Sequence, residues 1–116
     1  MKLYGIPNCT TVKKARAWLE NNGIAYEFHD FKKEGVNADQ LRKWSKQTGW
    51  EKLLKKQGPT WGKLPPETKA SANNETDVLA LMEQMTNLIK RPILEHDGKV
   101  LSLGYDEKTY QILFNK

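Results

Sequence analysis

Within the first thirty residues, MKLYGIPNCTTVKKARAWLENNGIAYEFHD, the residue pattern changes from strand to helix and back to strand. That order restricts the fold more than any other feature of the chain. Lys2–Gly5 reads as a short strand, closed by the turn-forming GIPN of Gly5 to Asn8. From Thr10 to about Asn22, Val12, Ala15 and Leu19 recur at helical spacing while Lys13, Lys14 and Arg16 point outward. Gly23 stands where a helix commonly ends on a left-handed residue. Tyr26 to Phe31 then alternates in strand fashion. A strand, a helix and a strand in this order predict a βαβ unit with a right-handed crossover.

The middle of the chain predicts helices. One opens at Asn37 or Ala38 and reaches about Thr48, with Leu41 and Trp44 on one face. A shorter piece covers Trp50 to Lys56, and Gln57 to Pro66 is turn-rich. A further helix runs from about Thr76 to Met85, using Val78, Leu81, Met82 and Met85, its methionines serving as core filler. Ile93–His96 and Lys99–Leu103 then flank Asp97-Gly98, the strongest short-range hairpin signal there is. Asp106 reads as the N-cap of a last helix that buries Tyr110, Leu113 and Phe114. The elements therefore run β-α-β, a helical insert, then β-β-α.

The chain has 116 residues, enough for one domain with a modest core. No apolar run approaches the roughly 20 residues that span a bilayer, and no secretory signal is visible, so a cytoplasmic protein with no membrane partner is expected. The one cysteine, Cys9, excludes an internal disulfide framework. His29 and His96 lie far apart on predicted strands and have no spaced ligand partners, so no metal site is expected. The net charge of +5 is carried by the first half, almost all of it by lysine, which suits a solvated face or an anionic small molecule. Arg16, Arg42 and Arg91 are the only arginines and no reading motif appears, so nucleic acid is not an expected partner.

Cys9 falls between a strand end and a helix start. There the free N–H groups of the first turn and the positive end of the helix dipole favour a thiolate. Two readings of the residue itself stand side by side: a reactive thiol, or a small apolar side chain used for packing. Asn8, Thr10 and Thr11 flank it and could orient a bound anion or simply support the helix start. Arg91-Pro92 precedes the third predicted strand, where a β-α-β/β-β-α domain of the thioredoxin-like kind places a cis-proline beside the active thiol.

Three stretches carry a resemblance that spans essentially the whole chain. YGIPNCTTVKKARAWLENNGIAYEFHDFKKEG, GWEKLLKKQGPTWGKL and IKRPIL together resemble the arsenate reductase-like ArsC family, and within it the small YffB-like branch. The resemblance implies a thioredoxin-like (glutaredoxin-type) α/β fold: a mixed four-stranded sheet with a helical insertion between its βαβ and ββα halves. Residues 1–116 would form a single domain with the insert at about 37–89. It also implies a catalytic nucleophile at Cys9, a substrate-binding arginine at Arg91, and Pro92 as the cis-proline.

The implied activity is that of a monothiol oxidoreductase. The Cys9 thiolate attacks, and external glutathione, with glutaredoxin as a further partner, resolves the adduct. Glutathione is thus a co-substrate, no cofactor is bound, and a monomer is expected. Arsenate-reducing members use two further arginines. At one of these positions this chain has Lys55 or Lys56, and at the other it reads LSLGYD. Lysine cannot reproduce the bidentate fork, so the clamp for arsenate is incomplete although Lys55 remains an anion-binding candidate. Two alternatives stay open: a glutaredoxin-dependent arsenate reductase, and a non-enzymatic Spx-like regulator that binds the RNA polymerase α subunit. The Spx switch resembles a CxxC at this turn; here the fourth position is Val12.

Overall fold

A computed structural model describes residues 1–116. In chain order its elements are β1 (Lys2–Gly5), α1 (Thr10–Asn21), β2 (Glu27–Asp30), α2 (Phe31–Glu34), α3 (Ala38–Thr48), α4 (Trp50–Leu53), α5 (Pro59–Gly62), α6 (Pro66–Ser71), α7 (Glu75–Gln84), a 3-10 turn (Thr86–Leu88), β3 (Ile93–His96), β4 (Lys99–Leu103) and α8 (Glu107–Phe114). They form two units: Met1–Glu34 with Arg91–Lys116, and Gly35–Lys90.

The first unit holds the mixed four-stranded sheet, in the order β2-β1-β3-β4. β1 pairs in parallel with β2 and antiparallel with β3, and β3 pairs antiparallel with β4. The hairpin between β3 and β4 turns on Asp97 (φ 50°) and Gly98 (φ 79°). Positive φ at both central residues is the signature of a type I′ turn, whose twist suits the flanking strands.

α1 lays Val12, Ala15, Trp18 and Leu19 inward. One core cluster joins Leu3, Ala15, Trp18, Leu19, Leu94 and Tyr110, with Ile24 and Phe28 packed against it. The helix ends on a Schellman motif. Gly23 N–H donates to the Glu20 carbonyl at 3.1 Å and Ile24 N–H to the Leu19 carbonyl at 2.9 Å, with Gly23 at φ 68°. Asp106 caps α8, its carboxylate accepting from Thr109 N–H at 3.0 Å.

On the other side of β1, Tyr4 donates its hydroxyl to Oε1 of the buried Glu95 at 3.1 Å. Burial, then the neighbouring Glu95 charge, pushes the Tyr4 phenol well above its ordinary value, so it stays a donor. His29 lies beside it, its ring centroid 4.8 Å away, and its Nδ1 is 3.6 Å from Glu34.

The second unit is helical. α3 and α7 pack together, each capped by an asparagine: Asn37 accepts from Gln40 N–H and Asn74 from Asp77 N–H. Leu41, Trp44, Leu53, Val78, Met82, Leu88 and Ile89 are fully buried. Leu54 and Ile89 form a short antiparallel bridge.

Four expectations are corrected. The second strand stops at Asp30 because the Asp30 carboxylate captures Lys32 N–H at 2.9 Å, and Phe31 opens a helical turn instead. The turn-rich stretch and the segment after it hold two short helices, each with a proline in its first turn. The helix from Trp50 ends at Leu53, where the bridge at Leu54 takes the chain into extended form. In α8, Tyr110 is buried but Leu113 is 39% exposed. The helix meets Trp18 with Tyr110 and Phe114, one turn apart, which rotates Leu113 toward solvent.

Replacing Tyr4 by Phe removes a donor from the buried Glu95 while keeping the ring. The expected cost is about 1–3 kcal/mol, seen as a lower midpoint of thermal or urea unfolding with an unchanged m-value.

Candidate active site

Cys9 is the N-cap of α1. Its backbone is extended (φ −89°, ψ 128°), and its carbonyl already accepts the first helical bond, from Lys13 N–H at 2.9 Å. Its own N–H donates to the Ile6 carbonyl at 3.3 Å, so the turn after β1 is closed on itself before the helix begins. The residue is half-buried and its thiol is free. This geometry follows from the local sequence: Pro7 and Asn8 make the turn, and the apolar stripe from Val12 onward holds the helix against the sheet.

Several groups act on the sulfur with opposite sign. Burial is the largest influence and by itself pushes the thiol up. Against it stand the backbone N–H groups of Val12 and Thr11, the guanidinium of Arg91 as a hydrogen-bond partner, and the Arg91 charge. Together they outweigh burial and hold Cys9 below the ordinary value for a thiol. The sulfur closes no full cap hydrogen bond to the first turn, in keeping with the weak acceptor character of a thiol. The N–H groups that face it gain strength as the sulfur becomes an anion.

Arg91 reaches Cys9 through the sheet register. Ile93 lies opposite Tyr4 on the neighbouring strand, so the chain just before Ile93 runs past the end of β1, where the Cys9 turn begins. The Arg91–Pro92 peptide bond is cis, Pro92 is buried, and its carbonyl accepts Gly104 N–H at 2.8 Å. This segment is thereby tied to the end of β4.

The structure thus gathers Cys9, Thr11 and Arg91, with Thr10 as the exposed first residue of α1 and Asn8 exposed in the turn. Lys55 belongs to the helical unit. It is half-buried just past α4, its N–H donating to the Leu88 carbonyl at 2.7 Å. No histidine is among the groups that shift the thiol; His96 pairs instead with Asp97 at 3.4 Å. In the sequence Val12 reads as a core residue and as the fourth position of the absent CxxC, yet its N–H is the first of the groups that favour the Cys9 anion. The signal for it was present. Val12 is three residues past an N-cap, the position whose N–H turns back toward the capping side chain.

The chain matches the model of the ArsC family over residues 4–113. A solved structure named YFFB protein is 39% identical, covers 96% of each chain and superposes with a TM-score of 0.90. An arsenate reductase (ArsC) related protein from Brucella melitensis is 42% identical, covering 99% of this chain and 94% of its own, with a TM-score of 0.78. The global transcriptional regulator Spx 1 of Lactococcus lactis is 31% identical over 90% of this chain and 81% of its own length.

The rate of Cys9 alkylation by iodoacetamide is expected to rise with pH through an inflection below about 8.5, the free-thiol value. Arg91→Ala removes a donor and a charge from the thiolate, so its inflection moves upward. An inflection that stays put would remove Arg91 from the site.

Proposed function

The chain belongs to the ArsC family, and from that premise we propose that it is a glutathione-dependent monothiol oxidoreductase with Cys9 as its nucleophile. The observation that carries the reading is the set of donors turned on one sulfur: Val12 and Thr11 N–H and the Arg91 guanidinium. A thiol held below its ordinary value is ionised to a greater extent at a given pH than a free thiol and is a better leaving group.

In the first step the Cys9 thiolate attacks the glutathionyl sulfur of a mixed disulfide, R–S–S–glutathione. A new S–S bond forms between Cys9 and the glutathionyl sulfur, the S–S bond of the mixed disulfide breaks, and R–S⁻ leaves as the thiolate. In the second step a glutathione thiolate attacks the glutathionyl sulfur on Cys9. Oxidised glutathione leaves and the Cys9 thiolate returns. The substrate is reduced by two electrons, two glutathione units end as one disulfide, and the thiolate of R takes the proton lost by the incoming glutathione. With a single cysteine in the chain, the second thiol has to come from outside.

Arg91 and the start of α1 hold the anionic tripeptide, with Asn8, Thr10 and Thr11 bordering the thiol. Lys55, an anion-binding candidate by its sequence position, belongs to the other unit, and glutaredoxin is a further protein partner for the resolving step. Arsenate fits less well. One arginine is gathered at the thiol, and an oxyanion with several charged oxygens calls for more than one bidentate fork.

The Spx 1 relative favours a second reading, a non-enzymatic regulator. The presence of Val12 rather than cysteine leaves such a protein without a CxxC disulfide at this turn. The two readings part on one residue. Purified protein incubated with oxidised glutathione is expected to gain one glutathionyl group on intact mass, and Cys9→Ser to gain none. With a glutathionylated peptide and glutathione, turnover is expected for the native protein and background for Cys9→Ser. No adduct and no turnover would leave the regulator reading.

A further inference from the structure

Gly5, the last residue of β1, is buried and its φ is not positive. Its backbone is one that any L-residue adopts, so nothing in the turn itself calls for glycine. The space around it does. A Cβ built on Gly5 would lie 2.7 Å from Cγ2 of Val12 and 3.4 Å from its Cγ1, well inside the roughly 3.5–4.0 Å at which carbon atoms rest. Val12 has no easy escape, for it is fully buried and its β-branched side chain has one strongly preferred χ1 in a helix. The same residue carries one of the N–H groups that face the Cys9 sulfur.

We propose that Gly5 is a positioning residue for the Cys9 thiol: its missing side chain lets Val12 seat against the end of β1, and that seating holds the first turn of α1 with its N–H groups at the sulfur. A methyl group at Gly5 displaces Val12 by a substantial fraction of an ångström. The helix start then shifts as a unit, because Val12 is part of its first turn. Hydrogen bonds to an anion fall off steeply with distance and angle, so the thiolate loses support while the fold persists.

The inference rests on Cys9 acting as a thiolate, which the alkylation profile of the native protein tests by itself. The difference between variants tests Gly5. In Gly5→Ala the Cys9 inflection is expected to move upward, and alkylation at mildly acidic pH to slow roughly three- to tenfold. Val12→Ala keeps the N–H and serves as the reference. In the double variant Gly5→Ala/Val12→Ala the contacts at 2.7 and 3.4 Å are gone and the Val12 Cβ position lies 3.7 Å from the new methyl, an ordinary contact. Its inflection is therefore expected to match that of Val12→Ala. A Gly5→Ala protein that is merely less stable, with an unmoved inflection, overturns the proposal. So does a double variant whose inflection stays above that of Val12→Ala. Should Gly5→Ala alone not fold, the double variant decides: folding with the Val12→Ala inflection supports the inference, and any other result overturns it.

Discussion

β1 pairs on both edges, with β2 from the same end of the chain and with β3 from beyond the helical segment. The site depends on that double pairing. Cys9 follows β1 directly, whereas Arg91 comes from a segment more than eighty residues away and meets the thiol only because Ile93 is in register with Tyr4. A slip of β3 by one residue against β1 would turn Leu94 away from the core cluster and bring Ile93 and Glu95 to its face. The apolar contacts of Leu3, Leu94, Trp18 and Leu19 therefore hold the register that brings the guanidinium to the sulfur.

The two faces of β1 have different tasks. One carries Leu3 into the cluster under α1 and α8, and its continuation at Gly5 is the close contact with Val12. The other carries Tyr4 to the buried Glu95, with His29 and Phe31 around it. A buried carboxylate is costly unless it is hydrogen-bonded, and the Tyr4 hydroxyl offsets part of that cost. One short strand thus links an apolar packing surface, a polar buried pair and the turn that presents the thiol.

The chemistry at Cys9 is a balance of opposing influences. Half-burial disfavours the thiolate, and an unassisted thiol in that place would be a packing residue. What reverses the sign is a set of donors that cost nothing to orient, two backbone N–H groups already fixed by the helix, with one arginine added from the far end of the chain. Membership of the ArsC family is consistent with such a site, and its relatives include both a structure related to arsenate reductase and a transcriptional regulator. The family alone therefore does not choose between thiol chemistry and binding. The donor set at the sulfur is what bears on that choice.

Much of the fold was legible because it rests on local signals. The strand at Lys2–Gly5, the helix from Thr10, the hairpin on Asp97-Gly98 and the cap at Asp106 are set by turn chemistry and periodicity, and each stands where the residues place it. The short helices after Pro59 and Pro66 were hidden because proline marks a turn and a helix start alike. The exposure of Leu113 was hidden because helical spacing shows a face but not which edge of that face meets Trp18. For Cys9, the sequence by itself determined the thiol at a strand–helix turn, since capping depends on a few neighbouring residues. The place of Arg91-Pro92 before the third strand points to the thiol only through the fold it implies, and sheet register is what brings Arg91 there. That Gly5 leaves room for Val12 appears in the tertiary structure alone. Both are contacts across separate elements, set by sheet register and packing distance rather than by any pattern along the chain.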